Sequence, residues 1–335
     1  MRSLVRITAL GAAMTVFPLA QAAAEPTPGP GYQIEIVRER GAIFSGVAKD
    51  GETLLLTNLA DGRLYRRDRG GQLQAFGPVL PHGVDVMGDP SGPYRVKPLG
   101  KGYLVAQGWK PANNDENQND HSLLEVDETS VTRIVSSDFW NPFDFVIDDE
   151  ATFVVDSGKN SVERLDRAGG KTTIFTFPRL KHEGQALGGL SPTEFAGKEP
   201  YEVDAVPTGI AERDGRLYVS LFGGFPYIPG GGALVSLDKS GNNSAAHLEV
   251  GGLDTPVGIA FESTGLILIL QHGSFDQAKG FLPGSGELIG VDLGTGERKV
   301  VASGLNRPVS VAVLDEGKIV VSQLDGALIF LTPRR

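Results

Sequence analysis

Short apolar runs of five or six residues recur along the whole chain, each broken by a polar turn and followed by a second apolar run. Six stretches share this form: "FSGVAKDGETLLLTN", "PHGVDVMG", "PFDFVIDDEATFVVD", "PTGIAERDGRLYVS", "PVGIAFESTGLILIL" and "PVSVAVLDEGKIVVS". The third lead-in residue falls at Gly46, Gly83, Asp144, Gly209, Gly258 and Ser310, at intervals of 37, 61, 65, 49 and 52 residues. A four-stranded propeller blade takes about 40–50 residues, so the longer intervals carry insertions. Runs that are apolar throughout suit strands buried on both faces. A small sheet cannot bury both faces alone, but sheets packed radially about an axis can. The pattern predicts an all-β, six-bladed β-propeller, with blade 4 built from Ile210–Glu212, Arg216–Leu221, Ala233–Leu237 and His247–Val250.

The ends sharpen this. The sixth copy supplies Val309–Val313, Lys318–Ser322 and Ala327–Leu331, one strand short of a blade. At the other end, "YQIEIVRER" is a strand without a blade. Gln33–Arg38 is therefore predicted to complete the last blade, closing the ring and removing an exposed edge.

Composition adds the setting. The 45 glycines and 21 prolines among 335 residues imply many tight turns. Residues 1–24 read as a secretory signal peptide: Arg2 and Arg6, then "ITALGAAMTVFPLA", then "AQAAAEP". The apolar stretch is short for a bilayer span and contains Pro18. Residues 25–335 are then one exported domain. The absence of cysteine favours a periplasm over a disulfide-stabilised secreted module. The formal charge of −10 goes to −12 once Arg2 and Arg6 are removed, and no basic patch offers a nucleic-acid surface. No later apolar run reaches membrane length.

Candidate chemistry belongs where innermost strands start and second strands end, since these converge on the axis of a propeller. The starts are Ser45, His82, Phe143, Thr208, Val257 and Val309. The ends are Asn58, Gln107, Trp109, Asp156, Phe222, His272 and Gln323. Four long loops join the same face: "GWKPANNDENQNDHS", the connection from Pro178 to Val206, "SLFGGFPYIPGGGAL" and "HGSFDQAKGFLPGSG". Trp109, Phe143, Thr208, Phe222, Phe225 and Tyr227 are predicted to line a lidded pocket for a small organic ligand, with Phe275 and Phe281 beside them. The alternative is a hydrolase, lactonase or isomerase, with His82, Asp156 and His272 as the candidates for acid–base catalysis, because a carboxylate can orient an imidazole and raise its pKa. "NNDENQND" lacks the order of a calcium loop, and the chain has no G-x-S-x-G, H-E-x-x-H or P-loop. No cofactor is predicted: a quinone would need axial cations, for which Arg307 and the loop residue Lys110 are the candidates. A protein-docking role for the rim loops stays open.

Two resemblances follow from these residues. Glu202–Asp238, with its "VPT" lead-in and Gly-Phe-Pro loop, resembles the ScyD/ScyE family of exported propellers. That implies an exported six-bladed ring and carries no catalytic set. "FSGVAKDGETLLLTNLADGRLYRRD" and "PFDFVIDDEATFVVDSGKNSVERLD" are similar to SMP-30/gluconolactonase-type propellers. That family implies a divalent metal held by carboxylate and amide oxygens at innermost-strand starts, and a lactonase activity. The matching positions here are Ser45, Phe143 and Thr208, so the usual triad is missing, and a divalent metal would need a different site, for which Asp144 and Asp156 are the candidates.

Overall fold

A computed structural model describes residues 25–85, 88–108, 119–190, 200–241 and 245–334; the predicted leader, residues 1–24, lies outside them. Six four-stranded antiparallel sheets form the blades of a propeller. Blade 1 is Phe44–Asp50, Thr53–Asn58, Arg63–Arg67 and Leu73–Phe76. Blade 2 is Pro93–Leu99, Gly102–Gln107, Ser122–Val126 and Val131–Ser136. Blade 3 is Pro142–Ile147, Ala151–Asp156, Ser161–Asp166 and Lys171–Thr176. Blade 4 is Pro207–Arg213, Arg216–Leu221, Gly232–Asp238 and His247–Leu253, and blade 5 is Pro256–Phe261, Ile267–Gln271, Gly286–Val291 and Arg298–Leu305. Blade 6 takes Pro308–Val313, Ile319–Gln323 and Ala327–Pro333 from the C-terminal segment and Tyr32–Arg38 from the N-terminal one, paired from Tyr32↔Pro333 to Arg38↔Ala327.

One register differs from the sequence expectation. Blade 2 does not start at "PHGV". Its innermost strand is Pro93–Leu99, and Gly83–Val84 pairs with Pro90–Ser91 in a small hairpin above it. His82 therefore sits in a connection, not at an innermost-strand start. The third lead-in residue of blade 2 is Arg95, which lies 49 residues after Gly46 and 49 before Asp144 (46 to 95, 95 to 144). "PHGV" imitates the lead-ins of blades 4 and 5, whereas "PYRV" hides its kinship behind a charged residue.

The alternation within strands accounts for the packing. In Thr53–Asn58, Leu55 faces blade 2, while Leu54 and Leu56 face blade 6. In Gly102–Gln107, Tyr103 and Val105 face blade 1, while Leu104 and Ala106 face blade 3. Successive side chains point to opposite faces, and both faces are covered, so the strands read as unbroken apolar runs. Six apolar clusters fill the six interfaces between neighbouring blades. Where innermost strands crowd together, small residues are required: a Cβ on Gly209 would lie 2.9 Å from the Gly258 Cα.

The N-terminal segment is latched twice. Thr27–Pro28 adds a fifth strand to blade 5 before Tyr32–Arg38 enters blade 6. Between them the Gly29 amide donates to the Val301 carbonyl at 2.8 Å. A Cβ on Gly29 would come within 2.0 Å of the Val300 carbonyl oxygen. The Tyr32 hydroxyl donates to Glu262 of blade 5 at 3.1 Å, and burial, then Glu262, push its pKa up to about 12. Among the described residues, no helix is long and apolar enough to cross a membrane.

Removing residues 25–40 exposes the edge of Ala327–Pro333 and uncovers the cluster shared by blades 5 and 6. A chain starting at Gly41 is expected to lose at least about 10 °C of melting temperature by scanning calorimetry, in a single transition. Gly29→Ala is expected to lower it by a smaller amount. An unchanged midpoint in the truncated chain would overturn the closure.

Candidate functional site at the mouth of the ring

Innermost strands leave one edge facing the axis, where carbonyls have no strand partner. Buried carbonyls need donors. Here each blade offers its neighbour one side-chain donor, and together these form a belt around the axis. Thr57 Oγ1 of blade 1 donates to the Tyr94 carbonyl at 3.3 Å. Lys97 Nζ of blade 2 donates to the Phe145 carbonyl. Ser157 Oγ of blade 3 donates to the Pro207 carbonyl at 2.5 Å, and Thr208 Oγ1 of blade 4 to the Pro256 carbonyl at 2.9 Å. His272 Nδ1 of blade 5 lies 2.9 Å from the Pro308 carbonyl, and Ser322 Oγ of blade 6 donates to the Ser45 carbonyl at 2.6 Å.

A second device fixes the lead-ins. The last residue of the second strand accepts backbone amides from the loop entering its own blade. Asn58 takes Ile43 N at 2.8 Å. Asp156 takes Trp140 N and Asn141 N, both at 2.8 Å. Gln271 takes Asp254 N at 2.7 Å, and Gln323 takes Asn306 N. Blade 4 has the apolar Leu221 at this position, and Asn160 of blade 3 takes Val206 N instead, at 2.8 Å.

Near the axis sits Arg95, which is almost fully buried and reaches from blade 2 to blades 1, 3 and 6. Its guanidinium donates to the Val309 carbonyl at 2.9 Å and lies 3.4 Å from Ser45 Oγ. Its Nε sits 3.5 Å from Asp144 Oδ2, and Lys97 Nζ is 3.2 Å from Asp144 Oδ1. Its plane lies 4.8 Å over the Phe143 ring, which in turn packs 4.8 Å from the Tyr94 ring. Burial pulls the Arg95 pKa down and Asp144 opposes it. Arginine nevertheless stays charged in proteins, so Asp144 acts as its counter-charge.

Above this arginine stands the mouth. Phe222 and Tyr227 of the blade-4 loop meet Phe275 and Phe281 of the blade-5 loop: Tyr227–Phe275 at 4.8 Å, Tyr227–Phe281 at 5.3 Å and Phe275–Phe281 at 5.1 Å between ring centroids. His272 stands edge-on to Phe281 at 4.6 Å. Phe225, 43% exposed, leans on Tyr227 and Phe275 at 6.0 and 6.1 Å. Ile228 turns the other way, into a small cluster with Leu187, Tyr201 and Val203 of the insertion before blade 4. The apolar residues of "SLFGGFPYIPGGGAL" thus pack on two neighbouring loops.

Polar groups border these rings. Arg307 donates from Nε to His272 Nε2 at 3.2 Å and from its terminal nitrogen to Asp89 Oδ1 at 2.6 Å, with its guanidinium 5.6 Å from the Phe281 centroid. The Nε2 of His272 is therefore the acceptor and Nδ1 carries the proton, which fits its donation to Pro308. Burial first, then the Arg307 charge, push the His272 pKa down to about 4, so the imidazole is neutral at pH 7. The Tyr227 hydroxyl is held above its ordinary pKa by burial, Asp89 and Asp85, and that of Tyr94 by burial, Asp85 and Asp89. Both phenols thus feel the same two carboxylates.

The structure brings Phe222, Phe225, Tyr227 and His272 into one mouth, with Phe143 beneath it and Thr208 buried in the belt. Trp109 lies outside the described residues. His82 Nδ1 lies 3.0 Å from the Leu80 carbonyl, and Asp156 spends both oxygens on backbone amides, so His82, Asp156 and His272 each answer to separate partners. Sequence reading missed Arg95, Asp85 and Asp89. The 49-residue interval would have found Arg95; Asp85 and Asp89 carried no signal in a hairpin mistaken for a blade.

The gluconolactonase-type resemblance implies a divalent metal, which needs several oxygen ligands. Ser45 lies against a guanidinium, Phe143 has no donor, and the Thr208 hydroxyl is spent on Pro256. Among the described residues, no three His, Asp or Glu side chains cluster as a metal site requires. The residues present do not fit that metal.

No family model matches the chain, and no curated protein matches it in sequence. Solved propellers do match in shape. A gluconolactonase from Xanthomonas campestris aligns with TM-score 0.57 and 11% identity over 94% of this chain and 99% of that one. Virginiamycin B lyase from Staphylococcus aureus aligns with TM-score 0.53 and 10% identity over 90% of this chain and 100% of that one. A Bacteroides thetaiotaomicron protein of unknown function aligns with TM-score 0.58 and 11% identity over 90% of this chain and 76% of that one. At such identities the likeness is one of fold, a β-propeller, and nothing more.

Asp144→Asn leaves Arg95 charged, buried and without its carboxylate. It is expected to cost about 3–5 kcal/mol in urea unfolding. Arg95→Met is expected to cost less, because Lys97 still faces Asp144; equal costs would refute the counter-charge role. For His272 the folded pKa of about 4 lies below the ordinary 6.5. The unfolded chain therefore binds the extra proton first as pH falls. Stability is full above about 6.5 and is lost as pH falls toward 4. His272→Gln is expected to flatten that part of the stability–pH curve, and an unchanged slope would show that the neutral imidazole contributes nothing.

Proposed function

We propose that this chain is an exported propeller that holds a small, partly apolar organic ligand at the mouth of the ring. One observation carries the reading: a wall of aromatic rings from two loops stands beside a partly exposed Arg307–Asp89 pair, above the buried Arg95. The rings offer apolar area, and the ion pair and the Tyr227 phenol offer directional polar contacts, which is the composition of small-molecule sites. Export rests on the basic, apolar and small-residue order of residues 1–24.

The ligand reading differs from a metal lactonase in what it asks of Arg307. Binding a carboxylate or a lactone carbonyl lets Arg307 exchange Asp89 for the ligand at little cost, since the pair is partly solvated. Acid–base chemistry at His272 requires that Arg307 leave Nε2 first, because that nitrogen holds the lone pair. A hydrolase reading therefore has Arg307 as its gate, and the fold neighbours favour a lactone as the substrate class to try.

Melting curves with aliphatic and aromatic carboxylates and lactones, run beside metal analysis, test this. At least one probe is expected to raise the midpoint, and Arg307→Met and Phe281→Ala are each expected to abolish that shift. No divalent ion is expected at one equivalent. No shift with any probe would sink the ligand reading, and a stoichiometric ion would restore the metal lactonase.

A further inference from the structure

A second cleft opens on the same face, at the outer part of blade 3 and away from the axis. It has a volume of about 510 Å³, in the range of small-ligand sites, and its lining includes Trp140, Asn160, Glu163, Thr176, Arg179 and Asp204. Trp140 is 63% exposed. Large aromatic side chains normally bury their area, and this one is not exposed for want of order. Its amide is held by Asp156 Oδ2 at 2.8 Å, and its carbonyl lies 2.6 Å from His121 Nδ1. Gly158 lies against it so closely that a Cβ there would sit 2.7 Å from the Trp140 Cβ. The backbone is fixed on both sides, and the indole is presented over a polar cleft.

The polar groups fit an uncharged partner. The cleft is lined by two cations, Lys159 and Arg179, and two anions, Glu163 and Asp204. Lys159 is directed to Asp138, 3.0 Å from its carbonyl. Glu163 is buried and accepts from Ser161 and Thr173. Arg179 and Asp204 pair at 3.2 Å, with their side chains 62% and 51% exposed. Such a pair contributes little stability by itself, so its planar donors and acceptors can turn to vicinal hydroxyls. The Asn160 carbonyl is fixed on Val206 N, which leaves its amide hydrogens as oriented donors. A flat apolar face beside a charge-balanced set of donors and acceptors matches a pyranose, which shows C–H groups on one face and hydroxyls at its rim.

We infer that this cleft binds a neutral carbohydrate, with the sugar ring stacked on Trp140 and its hydroxyls shared between Arg179 and Asp204. The site is independent of the mouth and does not rest on the ligand proposed there.

The probes are cellohexaose, maltohexaose, xylohexaose and chitohexaose, with polygalacturonate as the charged control, titrated into the full mature chain by calorimetry and tryptophan fluorescence. At least one neutral oligomer is expected to bind and shift the emission. Trp140→Ala is expected to weaken it at least tenfold, about 1.4 kcal/mol, with Trp140→Phe retaining part of the affinity and both variants melting like the parent. Asp204→Asn and Arg179→Met supply the same test should Trp140→Ala fold poorly, each expected to weaken binding severalfold. Raising salt to 1 M is expected to leave the affinity within about twofold, since the ligand carries no charge. Three outcomes overturn the proposal: no binding of any neutral oligomer at 10 mM (about the weakest affinity worth reading), binding indifferent to Trp140 and to the Arg179–Asp204 pair, or binding of polygalacturonate alone that salt abolishes.

Discussion

Six strand edges face one another across the axis of this ring, and none can pair with the next. The carbonyls along those edges have no backbone donor, and water has little access to them. The belt of Thr57, Lys97, Ser157, Thr208, His272 and Ser322 answers that constraint. Each donor crosses from one blade to the next, so the belt both satisfies buried acceptors and sets the rotation between neighbours. An unmet buried carbonyl costs on the order of 1–3 kcal/mol. Six of them would consume much of the stability of an ordinary domain.

The belt changes what the polar residues at the axis mean. A serine or threonine at an innermost-strand start, or a histidine at a second-strand end, looks in one dimension like a site residue. In three dimensions Thr208 and His272 are linkers first. Asp156 belongs to the companion device that holds the lead-in loops. The polar groups near the mouth that neither device uses are Arg307, Asp89 and the Tyr227 hydroxyl, with the Tyr94 phenol buried beneath them. His272 belongs to both sets, with Nδ1 spent on the belt and Nε2 turned to Arg307.

The fold was legible because unbroken apolar runs and small lead-in residues survive in one dimension. Leu54, Leu55 and Leu56 announce a strand buried on both faces whatever their neighbours are. The missing strand of the last blade, and the spare one at Tyr32–Arg38, announce the closure. The site was less legible. Arg95 occupies a position where three other blades carry glycine, and its charge made the lead-in look foreign. Its role depends on Asp144, 49 residues later in sequence and adjacent in space. The rim pair Arg307–Asp89 joins the sixth blade to the second, and no local pattern encodes a contact between residues 218 apart.

The aromatic wall at the mouth shows how one stretch serves two ends. The glycines of "SLFGGFPYIPGGGAL" let the loop turn twice, and its apolar side chains then divide. Ile228 anchors the loop to the insertion before blade 4, and Phe222, Phe225 and Tyr227 meet the rings of blade 5. Anchoring on one side fixes the position of the rings on the other. A wall held in that way loses little conformational freedom when a ligand settles against it, which is how a site gains affinity without added contacts. Trp140 follows the same logic on blade 3, where backbone hydrogen bonds hold an exposed indole in place. In both places rigidity comes from the scaffold, which holds exposed aromatic side chains in fixed positions.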